Sequence, residues 1–320
     1  TERKRYEQAL KELAVQSTRA ELAEQYRRMQ EEFTDTLCHE LRNPLNVIQG
    51  VVDLLNDRVN SIKGSDTKAQ TELNIKDFFN QFEQDLAAMK ESSQQQRVIV
   101  DEVLDYSKLR SDKIELHPVF FSLQTLIYTT VQMYLPEIKE KNLDLQIQIP
   151  EEEMWLKADP FRLKQIIINL LSNAIKFTKK GSIQIIIDLE PLSNDRETIL
   201  KIAVKDTGIG MTHYELSHLF KRFSQASRKT AATHGGTGLG LLISKKLTKK
   251  MGGGIQAESV SGKGSIFTFT IRASYPTPEE KAQLEQGKLT PDRKKEDSQK
   301  EIDSKIKNQK IKVLVVEDNR

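Results

Sequence analysis

Apolar positions divide the chain into two kinds of segment. Up to about residue 110 they recur at helical spacing: Tyr6, Leu10 and Leu13, then Leu22, Tyr26, Met29, Phe33 and Leu37, then Leu41, Leu45, Ile48, Val52 and Leu55. Intervals of three and four put such side chains on one face and predict amphipathic helix. The first two series are out of phase, the mark of a stutter in a coiled coil. Residues 1 to 35, dense in Glu, Lys, Arg and Gln and free of Pro and Gly, therefore read either as a signal helix feeding the next segment or as a plain solvated helix. The pattern lapses over residues 58–72, which predicts a loop, and resumes with Phe78, Phe82, Leu86, Met89, Val100, Val103 and Leu104. Two such helices bury too little alone, and a second copy completes a four-helix bundle. A polar run, Glu91-Ser-Ser-Gln-Gln-Gln-Arg97, interrupts the second helix. With a bend near Ser65, equal rise along both helices brings this run level with His39.

From Pro118 onward the periodicity changes. Ser122 is placed to cap a helix reaching about Tyr134, and Leu143–Ile149 alternates as a strand. Asp159-Pro160 supplies an N-cap and a proline at the first helical position, opening the helix of Gln165 to Phe177. Strands are expected at Ile183–Leu189 and Thr198–Lys205, a helix at about Leu239–Met251, and a final strand pair, Gly254–Ser259 and Ser265–Ile271, joined by the turn Ser261-Gly-Lys-Gly264. The order predicts an α/β sandwich of mixed strand direction rather than regular βαβ alternation. Residues 274–310 hold little apolar material and read as a flexible linker. After it the run Lys310-Ile-Lys-Val-Leu-Val-Val-Glu317-Asp318 is an apolar strand ending in an acidic pair, or an arbitrary buried strand.

Composition narrows this picture. The 320 residues are 37% hydrophobic and 30% charged, enough for two modest cores and linkers. Net charge is +3, and no basic patch with interleaved aromatics occurs, so no nucleic-acid partner is expected. Cys38 is the single cysteine, which excludes an internal disulfide and suits a reducing, cytoplasmic setting for this region. No apolar run approaches the roughly 18 residues that span a bilayer. The chain opens without an initiator Met inside a charged helical pattern, and it reads as a piece of something longer.

The chemistry-bearing residues lie in four blocks. His39-Glu40 stands on the first bundle helix, with Asn43 one turn on and Pro44 beside it. A zinc hydrolase motif needs a second His where Asn43 stands, so that reading fails. A neutral imidazole can attack a phosphoryl group if a neighbouring carboxylate holds the proton on its other nitrogen. A purely structural His would fit the same helix. Pro44 removes the hydrogen bond to the Glu40 carbonyl and should kink the helix. Asn169 and Asn173 share a helix face, where amide oxygens suit a hard cation that also bridges phosphates; surface amides would show the same spacing. Asp206-Thr-Gly208-Ile-Gly210 ends a strand, and its carboxylate could accept from an adenine amino group or simply form a turn. Gly235-Gly236-Thr237-Gly238-Leu239-Gly240 opens a helix, where free N–H groups and the dipole favour phosphate. It is neither a P-loop nor a dinucleotide fingerprint.

Taken together, from about Phe33 to Arg272, the four blocks resemble the sensor histidine kinases of two-component signalling, in their hybrid form. The resemblance implies a dimeric helical-hairpin domain followed by an α/β-sandwich ATP-binding domain of the GHKL (Bergerat) type. It divides the chain into a signal helix at 1–33, a dimerisation and phosphoacceptor domain at 34–112, a catalytic domain at 113–273, the linker, and the start of a truncated receiver domain at 311–320. It implies ATP and Mg²⁺ as cofactors, His39 as phosphoacceptor, Glu40 as acid/base and Asn43 as the residue orienting water for receiver dephosphorylation. Asn173 would ligate Mg²⁺, with Asn169 in the same site. Lys176 would contact phosphate and Phe177 the adenine edge or lid. Asp206, Gly208 and Gly210 would read adenine; Gly236, Thr237, Gly238, Leu239 and Gly240 would hold phosphate. The segment Met211–His234 resembles the family's ATP lid, with Phe220 and Phe223 as its anchor and Gln225 among its ATP-binding residues. The implied partners are a second copy through the hairpin, a receiver domain in cis or a separate response regulator or phosphotransfer protein, and an upstream sensor domain. Relatives of this fold that hydrolyse ATP (topoisomerases, mismatch-repair ATPases and a heat-shock chaperone) carry a glutamate where Asn169 stands. An amide there favours transfer to a side chain. A degenerate kinase acting as a nucleotide-binding scaffold is the competing reading. The wording around His39 resembles eukaryotic, fungal-type hybrid kinases.

Overall fold

The structure, a computed structural model, describes residues 2–63, 68–110, 114–192, 196–220, 238–286 and 312–316. The chain forms two compact units that divide at Asp105 and Tyr106, with Gly238 and Leu239 grouped with the first.

The first unit is a helical hairpin, α1 (Glu2–Lys63) and α2 (Lys68–Arg110). The loop expected at 58–72 is corrected: both helices run through most of it, leaving only residues 64–67 undescribed. A lapse in apolar spacing does not stop a helix whose residues tolerate it, and no Pro or Gly occurs between Arg58 and Lys63. Arg58 also forms an ion pair with Asp85 of α2, largely shielded from solvent, which ties the two helices near the bend. Helix α1 continues through Pro44, whose ring is buried. Inside the hairpin Val51, Ser92 and Ile99 are buried, whereas Leu45, Val52, Leu86, Val100 and Leu104 remain exposed.

The second unit is a mixed sheet with helices on one face. Its strands are β1 (Val119–Ser122), β2 (Asp144–Pro150), β3 (Trp155–Ala158), β4 (Ser182–Pro191), β5 (Glu197–Asp206), β6 (Gly254–Val260), β7 (Gly264–Ser274) and β8 (Lys312–Val316). The order is β1-β3-β7-β5-β4-β2-β8, with β6 also on β7. Strand β2 runs parallel to β4 and β8, and the other pairs are antiparallel. Strand β8 lies along the outer edge of β2, where unpaired backbone groups accept an extended segment.

Alternation decides which side of the sheet is covered. In β4 the buried residues are Ile183, Ile185 and Ile187, and in β5 they include Leu200, Ile202 and Val204. Against them pack α3 (Leu123–Gln132), α5 (Pro160–Phe177) and α7 (Gly240–Lys250). Helix α5 contributes Leu163, Ile166, Ile167, Leu170, Leu171 and Ile175, each with no exposed surface. Burial of each such side chain stabilises by about 1.5–3 kcal/mol. The expected caps are present: Ser122 accepts the Thr125 N–H, and Asp159 accepts those of Arg162 and His117. The last turn of α2 belongs to this unit. There the Lys246 ammonium donates to the Leu109 carbonyl, complementing a helix C-terminus, and lies over the Tyr106 ring.

Short elements escaped the periodicity: β1, β3, α4 (Leu135–Glu140) and α6 (His213–His218). The linker expected from residue 274 is also corrected at its start. Ser274 still pairs in β7, and Pro278–Glu285 forms a helix, α8. Thr277 and Glu280 make a reciprocal capping box, Pro278 occupies the first turn, and Leu284 is buried. Residues 287–311 lie outside the described residues, as does the acidic pair Glu317-Asp318.

Candidate phosphoacceptor and nucleotide site

His39 lies on α1 with its side chain exposed, Glu40 follows half-buried, and Asn43 is exposed one turn further on. The polar run of α2 does reach this level. Gln96 donates its amide to the Leu41 carbonyl at 3.4 Å, and Ser92 is buried between the helices. Cys38, beside His39, is an exposed free thiol.

Most nucleotide-type residues belong to the second unit, where α5 serves as the common strut; Gly238 and Leu239 group with the first. At its C-terminal end, the Phe177 carbonyl accepts the Ile209 N–H at 3.2 Å. A Cβ on Gly208 would stand 2.4 Å from the same carbonyl, so only glycine lets this turn close on the helix. Asp206 ends the central strand β5, between Ile183 of β4 and Ser265 of β7. Its carboxylate is buried, 5% exposed, and accepts the Gly208 N–H at 2.8 Å. Burial raises the Asp206 pKa above the ordinary carboxylate value, while the N–H groups of Gly208 and Ser265 pull it partly back. Lys176 directs its ammonium over the Phe177 ring, 5.2 Å from the centroid, at this same end of α5.

Two turns toward the N-terminus of α5, Asn169 meets α7. Its amide nitrogen donates to the buried Ser244 hydroxyl at 2.9 Å. A Cβ on Gly240 would stand 2.1 Å from the Asn169 amide oxygen. Asn169 thus joins α5 to α7, and the start of a helix carries N–H groups of the kind that suit an anion. Replacing Gly240 by Ala should push these helices apart. An expected outcome is at least a roughly tenfold loss of affinity for a non-hydrolysable ATP analogue, read by calorimetric titration, at the usual cost of overpacking.

Asn173 sits between the two ends of α5, half-buried. Among the described residues no cluster of three or more His, Cys, Asp or Glu could hold a metal ion. A lone amide oxygen suits Mg²⁺, which keeps most of its water and takes remaining ligands from phosphates. Gly210 and Gly238 have positive φ, 62° and 68°, and Leu239 is buried. Phe220 closes the described part of the lid segment, with the Lys245 ammonium 5.4 Å from its ring centroid. Phe223, Gln225, Gly236 and Thr237 lie outside the described residues. Ser244, Ser259 and Ser265 were not flagged by sequence; each acts through a partner on another element, and spacing carries no trace of that. A cavity of about 480 Å³ at the α3–α4 corner, lined by Gln132, Leu135, Pro136 and Lys139, contains none of these residues.

Comparison with known proteins finds two matching domains along the chain. Residues 29–112 match the His Kinase A (phospho-acceptor) domain, and residues 158–275 match the histidine kinase-, DNA gyrase B- and HSP90-like ATPase. The sensor protein GacS of Pseudomonas syringae pv. syringae is 34% identical over 270 residues, covering 83% of this chain and 28% of GacS. The signal transduction histidine-protein kinase BarA of Escherichia coli K12 is 35% identical over 269 residues, covering 82% of this chain and 27% of BarA. The chain therefore spans little more than a quarter of the length of these relatives. A hybrid kinase of Dictyostelium discoideum is also 35% identical, over 245 residues, 76% of this chain and 12% of its own. Relatives at this level of identity thus include both bacterial and eukaryotic kinases. Among solved structures, full-length ShkA in complex with AMPPNP superposes with a TM-score of 0.50 at 25% identity, over 77% of this chain and 46% of ShkA. With both domains matched in order, and the residues of each gathered as described, the chain belongs to the histidine kinases of two-component signalling.

Proposed function

We propose that this chain transfers the γ-phosphoryl group of ATP to His39 and then passes it to an aspartate of a receiver domain. The observation that carries the reading is an exposed imidazole beside a carboxylate on one unit, with Ile209 and Gly240 both held against the helix of Asn169 and Asn173 on the other.

In this reading Asp206 accepts from the adenine amino group at the Phe177 end of α5, and the first turn of α7 receives the phosphates at the Asn169 end. Asn173 would hold Mg²⁺, which would supply positive charge against the phosphates. The unprotonated ring nitrogen of His39 attacks the γ-phosphorus; a nitrogen–phosphorus bond forms as the bond to the ADP oxygen breaks. Glu40 holds the proton on the other ring nitrogen and offsets the positive charge that develops there. Such transfer is chiefly positioning and electrostatics. Asn169 is an amide with its nitrogen engaged by Ser244, and it has no means of deprotonating water. That supports transfer to a side chain over plain hydrolysis.

The exposed apolar residues of the hairpin support a dimer. Leu45, Val52, Leu86, Val100 and Leu104 are too numerous to leave to water, and a second hairpin covers them as a four-helix bundle. The partners in this reading are a receiver domain and an upstream sensor; the strand Lys312–Val316, expected to open a receiver, pairs in the structure with β2 of the catalytic sheet. No described helix is long and apolar enough to cross a membrane; the reading places this catalytic region in the cytoplasm. A second activity, dephosphorylation of the receiver, is supported by Asn43, exposed one turn from His39, and by LuxQ of Vibrio vulnificus. That relative is named a sensor kinase/phosphatase and is 33% identical over 299 residues, 93% of this chain and 31% of its own. Incubation with γ-labelled ATP tests the kinase: label should enter the chain, and a chain that binds ATP but never takes up label is the scaffold instead.

A further inference from the structure

Ser259 stands on β6, outside all three nucleotide blocks. Its hydroxyl oxygen accepts the Met211 N–H at 2.8 Å, donates to the Gly264 carbonyl at 2.9 Å and lies 3.0 Å from the Ser265 hydroxyl. With its one proton committed to Gly264, the oxygen is the acceptor for both Met211 and Ser265. Ser265, in turn, is the cross-strand partner of Asp206.

Three further features close the same junction. The Gly262 N–H donates to the Ile209 carbonyl at 2.7 Å. A Cβ on Gly210 would stand 2.1 Å from the Val260 carbonyl, and one on Gly264 2.0 Å from the Asp206 carbonyl. The β6–β7 hairpin therefore grips the whole run from Asp206 to Met211 by backbone contacts, and Ser259 supplies the side chain that completes the grip. Met211 leads directly into α6, whose Thr212 and Glu215 form a capping box, and from there to Phe220. One hydroxyl thus links the base-reading carboxylate to the root of the lid segment.

We propose that Ser259 is a positioning residue for nucleotide selection: its hydroxyl holds Asp206–Met211 in the conformation that reads adenine. The inference rests on Asp206 as the adenine acceptor. A serine that merely stabilised the hairpin would lower the melting temperature and leave base preference alone. A positioning serine acts on the base end of the ligand, so its removal shows in KM and in the preference for ATP over ITP, which lacks the 6-amino group.

The test uses autophosphorylation kinetics of the full chain. Ser259→Ala should raise KM for ATP about tenfold, the weight of one lost hydrogen bond, with kcat within about twofold. The ATP-over-ITP preference should fall by a similar factor, and Ser259→Thr, which keeps the hydroxyl, should restore both. Ser265→Ala should give a smaller change of the same kind, and it serves should Ser259→Ala fail to fold. Wild-type KM and base preference in a folded Ser259→Ala, or a loss equal for ATP and ITP, overturns the assignment. Failure of a folded Ser259→Thr to restore selectivity overturns it too. Full ATP affinity in Asp206→Asn would instead remove the underlying adenine reading, so the two failures are distinguishable.

Discussion

His39→Gln should take up no acid-labile phosphate from γ-labelled ATP, while wild-type chain takes up label that is lost in acid and kept in alkali. Phosphorus bound to an imidazole nitrogen has this stability pattern, and phosphate esters on Ser or Thr do not share it. Glutamine keeps a polar side chain of comparable length on an exposed helical position, so the hairpin should fold and dimerise unchanged. The expected loss is complete, because no other histidine stands on the described part of the hairpin. Affinity for an ATP analogue should stay at the wild-type value, since Asn169, Asn173, Asp206 and Gly240 lie in the other unit. Label retained in His39→Gln with the same acid sensitivity would place the acceptor elsewhere and remove the kinase reading of this helix.

Asp206→Asn should cost nucleotide affinity without costing stability. The carboxylate is the acceptor proposed for the adenine amino group, and an amide can turn a donor toward that donor. Loss of a hydrogen bond to a charged acceptor costs about 1.5–3 kcal/mol, roughly ten- to a hundredfold in affinity. Stability moves differently. Burial raises the folded-state pKa of Asp206 above its ordinary 3.8. A group raised in this way contributes stability that is fully present below its unfolded pKa and lost as pH rises through the folded value. At neutral pH the ionised carboxylate therefore works against the empty fold. The melting temperature of Asp206→Asn at pH 7 should equal or exceed that of wild type, and the gap should narrow toward pH 4. A variant that loses nucleotide binding and melts well below wild type at pH 7 would make Asp206 a structural residue of β5.

How much of this was legible before folding depends on the range of the interaction. Long amphipathic patterns were read correctly as helices, and the alternating runs of β2, β4, β5 and β7 as strands, because each pattern is local. Apolar spacing alone places the end of α1 too early, because Arg58 to Lys63 lose the spacing but contain no helix breaker, and Gly64 stands just beyond. The helix Pro278–Glu285 was missed because a capping box and one buried leucine outweighed a polar composition. Strands of four residues, β1 and β3, are too short to show a period.

The site divides along the same line. That Asn169 and Asn173 share a face follows from helix geometry alone, and so does the placing of glycines at the start of α7. That the Asn169 nitrogen is occupied by Ser244, that Gly208 must lack a side chain because the Phe177 carbonyl lies against it, and that Ser259 holds Met211, each require two elements far apart in sequence to be packed together. Residue type and spacing encode which groups are available and which way a helix or strand presents them. Which neighbour each group meets, and therefore whether an amide oxygen, a carboxylate or a hydroxyl is free for a ligand, is decided only when the close-packed interior brings distant segments within hydrogen-bond reach.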